Sequence, residues 1–300
     1  MQIYDIPIDR HGKELTTLGT KEFPVAVYKT QLSKNILGYV NWHWHEAIQL
    51  CLVTKGSVRV NIHRREYLLH EGEGCFIHTN ILHMIRPESD PDSTYICINA
   101  APQWIGGGER NILFRKYISP TIDTPHFRGM VLRPNILWEK EILHNIQQIY
   151  DADCVKPFGY EWDIMIALQK IWRSLILAAE NNTQPTPSSK ESGDLRLKDL
   201  LSFLHNNYTE KITLEQITSV IHLCPGECCR FFKRNMGKTI FQYLTEYRIE
   251  QSLHDLTQTA NPISEIAYKH GFSSTSHYID RFKKHTGATP LEYRKKAKSI

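Results

Sequence analysis

His43 and His45 stand two residues apart, so a regular strand carries both imidazoles on one face. Gln49 follows four residues on, and His83 would approach from a later strand. Three imidazoles on neighbouring strands can ligate Zn²⁺ or Fe²⁺. They can equally line a pocket and hydrogen-bond a small ligand or one another. The residue at position 49 tips the expectation toward the pocket. An amide is a poorer ligand than a carboxylate, and it both donates and accepts, which suits a hydroxyl-rich molecule. The expected pocket lining is Trp42, His43, Trp44, His45, Gln49 and His83, with no metal and no cofactor. His63, His70 and His78 fall on or near turns and read as surface. His222, Cys224, Cys228 and Cys229 resemble a second ligand set, but adjacent residues of one helix cannot share a face, so no metal is expected there.

A second group of residues carries charge. Lys233 and Arg234 lie in Phe232-Lys233-Arg234-Asn235-Met236-Gly237-Lys238-Thr239, and Lys283 and Lys284 in Phe282-Lys283-Lys284-His285-Thr286-Gly287-Ala288-Thr289. The two stretches align at an offset of 50 residues, which also superposes Glu215 on Glu265 and Tyr243 on Tyr293. A fixed period of that size marks one supersecondary unit present twice. Each unit reads as helix, short turn, helix, glycine. In the second, 263–269 is the first helix, His270-Gly271-Phe272 the turn and 274–286 the second helix. That is a helix-turn-helix, whose second helix can enter a DNA major groove. The start signals agree. Thr213/Gln216, Thr239/Gln242 and Thr289/Glu292 fit capping boxes, Pro225, Pro262 and Pro290 suit first helical positions, and Gly237 and Gly287 suit C-terminal stops.

The run Ile266-Ala267-Tyr268-Lys269-His270-Gly271-Phe272-Ser273-Ser274, followed by Phe282-Lys283-Lys284 and Gly287-Ala288-Thr289-Pro290-Leu291-Glu292-Tyr293-Arg294, resembles the AraC/XylS family of bacterial transcription regulators. The resemblance covers 195–296. Its first unit departs from the family pattern, with Thr218 where Ala is usual, Cys224 where Ser caps and Cys228 where Leu packs. Cysteine serves as a weak cap and a small buried hydrophobe, so the fold is expected to hold while the first unit binds less tightly. The resemblance implies that Gly226, Cys229 and Arg230 face bases on the first recognition helix, and Thr275, Ser276, His277 and Asp280 on the second. Of the first set only Arg230 can make the bidentate contact to guanine. Asp280 stands where the family commonly has Arg. It can accept from cytosine N4, or pair with Lys284 four residues on and repel phosphate, and the pair is the expectation. Lys233, Arg234, Lys283 and Lys284 suit phosphates, and Arg281 completes the DNA-facing set. A long helix over 239–257 would hold the two recognition helices for successive groove segments roughly 34 Å apart.

The elements ahead of this region differ in texture. Residues 23–100 are rich in β-branched and aromatic types, and Val58-Arg59-Val60-Asn61-Ile62 alternates as a half-buried strand does. With the His43-x-His45 pair, Gln49, Gly56, Gly72-Glu73-Gly74 and His83, this stretch resembles the cupin-type sensor domains common at the front of that family. Two amphipathic helices follow, with stripes at Trp138, Ile142, Ile146, Ile149/Tyr150 and at Trp162, Met165/Ile166, Gln169, Trp172, Leu175/Ile176. Asn181 to Asp194 has no large apolar side chain and reads as a linker. The expected fold class is α+β. A cupin-like jelly roll (about 23–100) with helices at about 134–180 forms a domain of 1–180, then comes a linker of 181–194 and an all-α domain of 195–300 with two helix-turn-helix units.

Three hundred residues, 41% hydrophobic and 23% charged, fit two packed domains and exclude wholesale disorder. No apolar run approaches the ~18 residues of a membrane span, and the first residues show no secretory h-region. Seven scattered cysteines suit reduced thiols in a bacterial cytoplasm. From Asp194 onward 16 Lys and Arg face 11 Asp and Glu, a balance of +5 in a chain of net +4. The expectation is a sequence-specific regulator of double-stranded DNA, an activator and homodimer working with RNA polymerase. Its trigger would be a small-molecule effector, sugars included, and it would be neither an enzyme nor bound to membrane. The competing readings are a metal-dependent cupin enzyme or metal sensor fused to a DNA-binding module, and a ligand-free regulator whose front domain only dimerises.

Overall fold

The run from Ile48 to Val53 has no exposed residue, because the strand it forms is covered on both sides in the computed structural model of the chain. The structure describes residues 2, 4–9, 11–62, 65–122, 127–181 and 191–297. They divide into two compact units, Met1–Glu191 and Ser192–Ile300. The front unit contains β1 (Val25–Gln31), β2 (Val40–His43), β3 (Ile48–Lys55), β4 (Ser57–Ile62), β5 (Arg65–His70), β6 (Gly74–Ile77), β7 (His83–Pro87) and β8 (Thr94–Ala100). After two short helices, α1 (Pro102–Ile105) and α2 (Ser119–Ile122), come β9 (Gly129–Leu132), α3 (Leu137–Val155) and α4 (Tyr160–Asn181).

The strands form two antiparallel sheets, ordered β1-β8-β3-β6-β9 and β2-β7-β4-β5. Between them lies an apolar interior that includes Tyr28, Val40, Cys51, Val60, Ile85 and Cys97. The outer face of the five-stranded sheet, with Val27, Leu50, Phe76 and Ile98, packs on Ile142, Ile146, Ile171 and Leu175 of α3 and α4. Each such side chain contributes roughly 1.5–3 kcal/mol by leaving water. The half-covered β4 alternates as its sequence predicts, whereas β8 and the first six residues of β3 are buried without a break. The sheet outgrows the expected limit near residue 100, because four residues of β9 pair with the β6 edge.

In α3 the expected stripe is the buried one, at Ile142, Ile146 and Ile149. In α4 it is so only in part. Trp172 and Leu175 of the expected stripe are buried, but Trp162 and Ile166 are exposed, and Ile164, Leu168 and Ile171 join the core in their place. Apolar residues stand on the outer side of α4 too, among Glu161, Asp163, Lys170 and Arg173, so period alone does not single out its inner face.

The second unit contains α5 (Glu191–Asn206), α6 (Leu214–Ile221), α7 (Pro225–Met236), α8 (Ile240–Gln258), α9 (Ile263–Lys269), α10 (Thr275–Thr286) and α11 (Pro290–Ala297). Both halves of the capping box form at Thr213/Gln216 and Thr239/Gln242, and Thr289 and Glu292 bond each other's backbone N–H reciprocally. Gly237 and Gly287 end α7 and α10 in the left-handed region. Pro262 is the residue before α9 rather than its first. Of the expected linker, 182–190 lies outside the described residues and Glu191 already opens α5. Burial of Leu197, Leu200, Leu201 and Leu204 lends α5 a stability that its first residues, Ser192 and Gly193, do not themselves supply. Among the described residues no helix is long and apolar enough to cross a membrane.

Gly271, in the turn between α9 and α10, has φ +79°, and a Cβ there would lie 2.6 Å from the Tyr208 carbonyl oxygen. Gly271→Ala should therefore cost at least about 1–3 kcal/mol. All six tryptophans precede the second unit. Denaturation followed by far-ultraviolet circular dichroism should thus show an earlier loss of helix while the tryptophan fluorescence transition stays in place.

Candidate functional site

Two exposed helix faces and one buried polar cluster are the candidates. On α7, Cys228, Phe231 and Phe232 are buried, while Gly226, Cys229, Arg230, Lys233 and Arg234 are all exposed. On α10, Tyr278 and Phe282 are buried. Ser276, His277, Asp280, Arg281, Lys283 and Lys284 are exposed there, and Thr275 is half-buried. Each outward set recurs at three- and four-residue steps and so occupies one side of its helix. The Arg230 guanidinium lies along α7 toward Gly226, where a Cβ would stand 3.4 Å from Nη1. Asp280 meets Arg281 at 3.7 Å, not the expected Lys284, and Arg281 Nε donates to His277 Nε2 at 3.3 Å. The Arg281 guanidinium thus competes for a carboxylate that the i,i+4 rule assigns elsewhere.

The two recognition helices are anchored differently. Ser274 caps α10 by accepting from the His277 N–H, whereas Cys224 starts α7 without a side-chain cap and turns its thiol to Glu227, 3.3 Å away. The α9–α10 turn is tied to α8 through Asp255, which accepts from His270 Nε2 at 2.9 Å and Lys269 Nζ at 2.6 Å. Lys269, then His270, holds the Asp255 carboxyl below the ordinary carboxylate range, and burial pushes His270 below its usual 6.5. Sequence reading missed this tie, which joins residues 15 apart across two helices.

In the front unit His43, His45, Gln49 and His83 come together between the two sheets. His43 of β2 is directly opposite His83 of β7, and Gln49 is on β3 in the other sheet. All four side chains are buried. Each ring donates from Nδ1 to a backbone carbonyl: His43 to Asn41 (2.8 Å), His45 to Ala47 (2.9 Å) and His83 to Ile81 (2.8 Å). One ring nitrogen from each of the three histidines lies within 4.8 Å of those of the other two. Gln49 Oε1 sits 2.9 Å from His45 Nε2 and 3.2 Å from His83 Nε2. Burial pushes His43 down to about 4 against the pull of Glu14, and burial with the neighbouring rings carries His83 well below its ordinary value.

Trp42 is buried, but as the neighbour of His43 it starts out toward the opposite side of the strand. Trp44 is not brought into the cluster, since its indole donates to the His11 carbonyl at 2.9 Å and Lys13 Nζ lies 5.7 Å from its ring centre. His78 is buried against Phe76, Phe127 and Trp172 rather than exposed, because the segment after β6 folds under α4. His70 is exposed, and His63 lies outside the described residues. In the 222–229 set, Cys224 and Cys229 are exposed and Cys228 is buried. Glu14 is the residue that sequence reading passed over. Its carboxylate, with a side chain only 6% exposed, faces His43 Nε2 at 4.0 Å. The available signal was Asp9 and Gly12 just ahead of it, a turn pattern that reverses the chain.

A family model described as an AraC-like ligand binding domain matches residues 37–201, and one described as a helix-turn-helix domain matches residues 218–296. The chain is 37% identical over 289 residues to YdeC of Bacillus subtilis (strain 168), described as an uncharacterized HTH-type transcriptional regulator, covering 96% of this chain and 97% of that one. It is 25% identical to the HTH-type transcriptional activator RhaS of Yersinia pestis (strain Pestoides F), over 84% of this chain and 88% of the relative. A solved structure of ToxT from Vibrio cholerae O395 matches at 11% identity over 94% of this chain and all of that one, with a TM-score of 0.42.

Three variants test these readings. Asp255 and His270 both titrate lower in the fold than in the open chain. The stability they lend is therefore complete above 6.5 and is lost as pH falls through their folded values. Asp255→Asn should lower the denaturation midpoint at neutral pH and flatten its acid limb. On DNA, Arg230→Ala should cost about 1–3 kcal/mol and relax preference at one base position. Lys283→Ala should weaken binding to all sequences and reduce the salt slope by about one, as read in filter-binding titrations.

Proposed function

The chain belongs to the AraC-like family of helix-turn-helix transcriptional regulators, and on that premise we propose that it is a homodimeric activator switched by a small molecule bound in its front barrel. It binds double-stranded DNA, and the two exposed faces carry the finer reading. Gly226, Cys229 and Arg230 meet bases from α7, and Thr275, Ser276, His277 and Asp280 from α10. Lys233, Arg234, Arg281, Lys283 and Lys284 hold phosphates. Helix α8, 19 residues and so about 28 Å long, separates them on the scale of one DNA turn, roughly 34 Å. Arg230 is the strongest direct reader, while Gly226 and Cys229 offer bases little. The chain acts by binding, not catalysis, in a bacterial cytoplasm, with RNA polymerase as the partner at the promoter.

The observation that carries the reading is the repetition itself: two helix pairs, each burying an aromatic pair inward and presenting polar and basic groups outward. The dimer reading is supported by α4, whose Trp162, Ile166 and Leu177 are 76%, 47% and 44% exposed although the helix also fills the core. A second copy of the same helix supplies a matching apolar surface.

Genome-wide footprinting of the full chain, paired with transcript measurement, tests the proposal. Paired half-sites one helical turn apart, beside genes whose transcription rises, are expected. Protection without sequence preference would remove the regulatory reading, and falling transcripts would make the chain a repressor. Trp162→Asp with Ile166→Asp should halve the mass seen by sedimentation, and an unchanged mass would move the interface elsewhere.

A further inference from the structure

Inside the front barrel, several lone pairs face one another. A carbonyl only accepts, so the Nδ1 atoms bonded to Asn41, Ala47 and Ile81 carry the ring hydrogens, and each neutral ring presents a bare Nε2. The nearest group to two of those nitrogens is the Gln49 carbonyl oxygen, another acceptor, and the Gln49 amide donates instead to Cys51 Sγ at 3.2 Å. Turning the amide over would give His45 and His83 a donor each. It would do nothing for His43, whose Nε2 still faces the buried Glu14 carboxylate. Protonating the rings instead would gather positive charges on imidazoles whose centres are 4.1–5.8 Å apart in an apolar interior.

One cation answers all five acceptors. We propose that the front unit holds a single divalent transition-metal ion on the Nε2 atoms of His43, His45 and His83, Oε1 of Gln49 and a carboxylate oxygen of Glu14, the last supplied by the N-terminal segment and not by the barrel. The histidine nitrogens already converge within 4.8 Å, a span that an ion bonded at about 2.1 Å closes with small adjustments. Three imidazoles with two oxygens favour zinc, nickel or iron over magnesium or calcium. The expectation of a metal-free pocket rested on the missing charge at Gln49, and Glu14 restores that charge from another part of the chain.

The segment holds Glu14 in place by its own chemistry. Asp9 Oδ1 accepts from the N–H groups of His11 (2.7 Å) and Lys13 (2.9 Å), and Gly12 at φ +75° completes the turn. The Glu14 N–H then donates to the Trp44 carbonyl at 2.9 Å, and the Trp44 N–H to the Gly12 carbonyl at 3.0 Å. Trp44 lies between two of the ligands, so the segment is tied to the strand end that carries His43 and His45. A bound ion would fasten the two together. The proposal deepens the ligand-binding reading of the front unit and rests on it only for that regulatory consequence.

The test is metal uptake by the full chain, purified without a histidine tag, stripped with chelator and titrated with Ni²⁺ and Zn²⁺ in calorimetry. Co²⁺ provides a visible-absorption readout of the ligand field. One equivalent per chain at submicromolar affinity is expected. His83→Ala should abolish uptake, and Glu14→Gln, which keeps size and removes charge, should weaken it about tenfold or more. Gln49→Glu should strengthen uptake. Circular dichroism of each variant checks that it is folded. Absence of stoichiometric uptake by folded chain overturns the site, and so does uptake indifferent to His83→Ala. Uptake that ignores Glu14→Gln overturns the carboxylate ligand. Because uptake is measured without DNA, failure here is distinct from failure of the regulator reading.

Discussion

The front unit depends on β3 being buried on both faces. Gln49, Cys51 and Val53 point into the barrel, while Ile48, Leu50 and Leu52 point toward α3 and α4. A slip of one residue would exchange the two sets and place an amide among helix-facing leucines and isoleucines. The register prevents it: Gln49 is held opposite Ile77 on one side and Asn99 on the other, and Cys51 opposite Cys75 and Cys97. Gly74 allows α3 to close over this sheet, since a Cβ there would stand 2.7 Å from Leu143 Cδ2. The same strand therefore positions the polar cluster and seats the helices.

A polar cluster inside an apolar barrel must satisfy its own hydrogen bonds, because no neighbouring core residue can. The three rings do so economically, each using the carbonyl of a residue two positions away, which fixes tautomer and ring orientation together. The result is a preorganised set of acceptors rather than a self-contained network. Its polarity is the property that matters for function, since it leaves the interior short of donors and positive charge.

The C-terminal unit solves one packing problem twice, with different bracing. The second helix pair is tied by Asp255 to His270 and Lys269, by Ser252 to Tyr278 at 2.9 Å, and by Arg294 to the carbonyls of Leu256 and Asn261. Around the first, His205 bonds Tyr243 at 2.8 Å and stacks on Tyr247, and Arg248 reaches the carbonyls of Tyr208 and Glu210. The second recognition helix has a side-chain cap and the first lacks one. The more firmly held helix carries the larger set of outward polar groups, and the less firmly held one depends on Arg230.

The local rules written along the chain were enough for the helix-turn-helix units. Thr213, Thr239 and Thr289 with their Gln or Glu partners, Pro225, Gly237 and Gly287 act within one turn of helix, so their meaning survives without any knowledge of the fold. The paired histidines were legible only as a pair: His43 ends β2, whereas His45 lies past the strand and reaches the cluster from the turn into β3. Tertiary structure alone settled what depends on approach between distant segments. It chose which side of α4 is inside, buried His78 and kept Trp44 out of the cluster. It also brought Glu14 against His43, 29 residues along the chain. Periodicity records which residues share a face, but burial and charge pairing depend on what that face meets, and that information resides in contacts between segments.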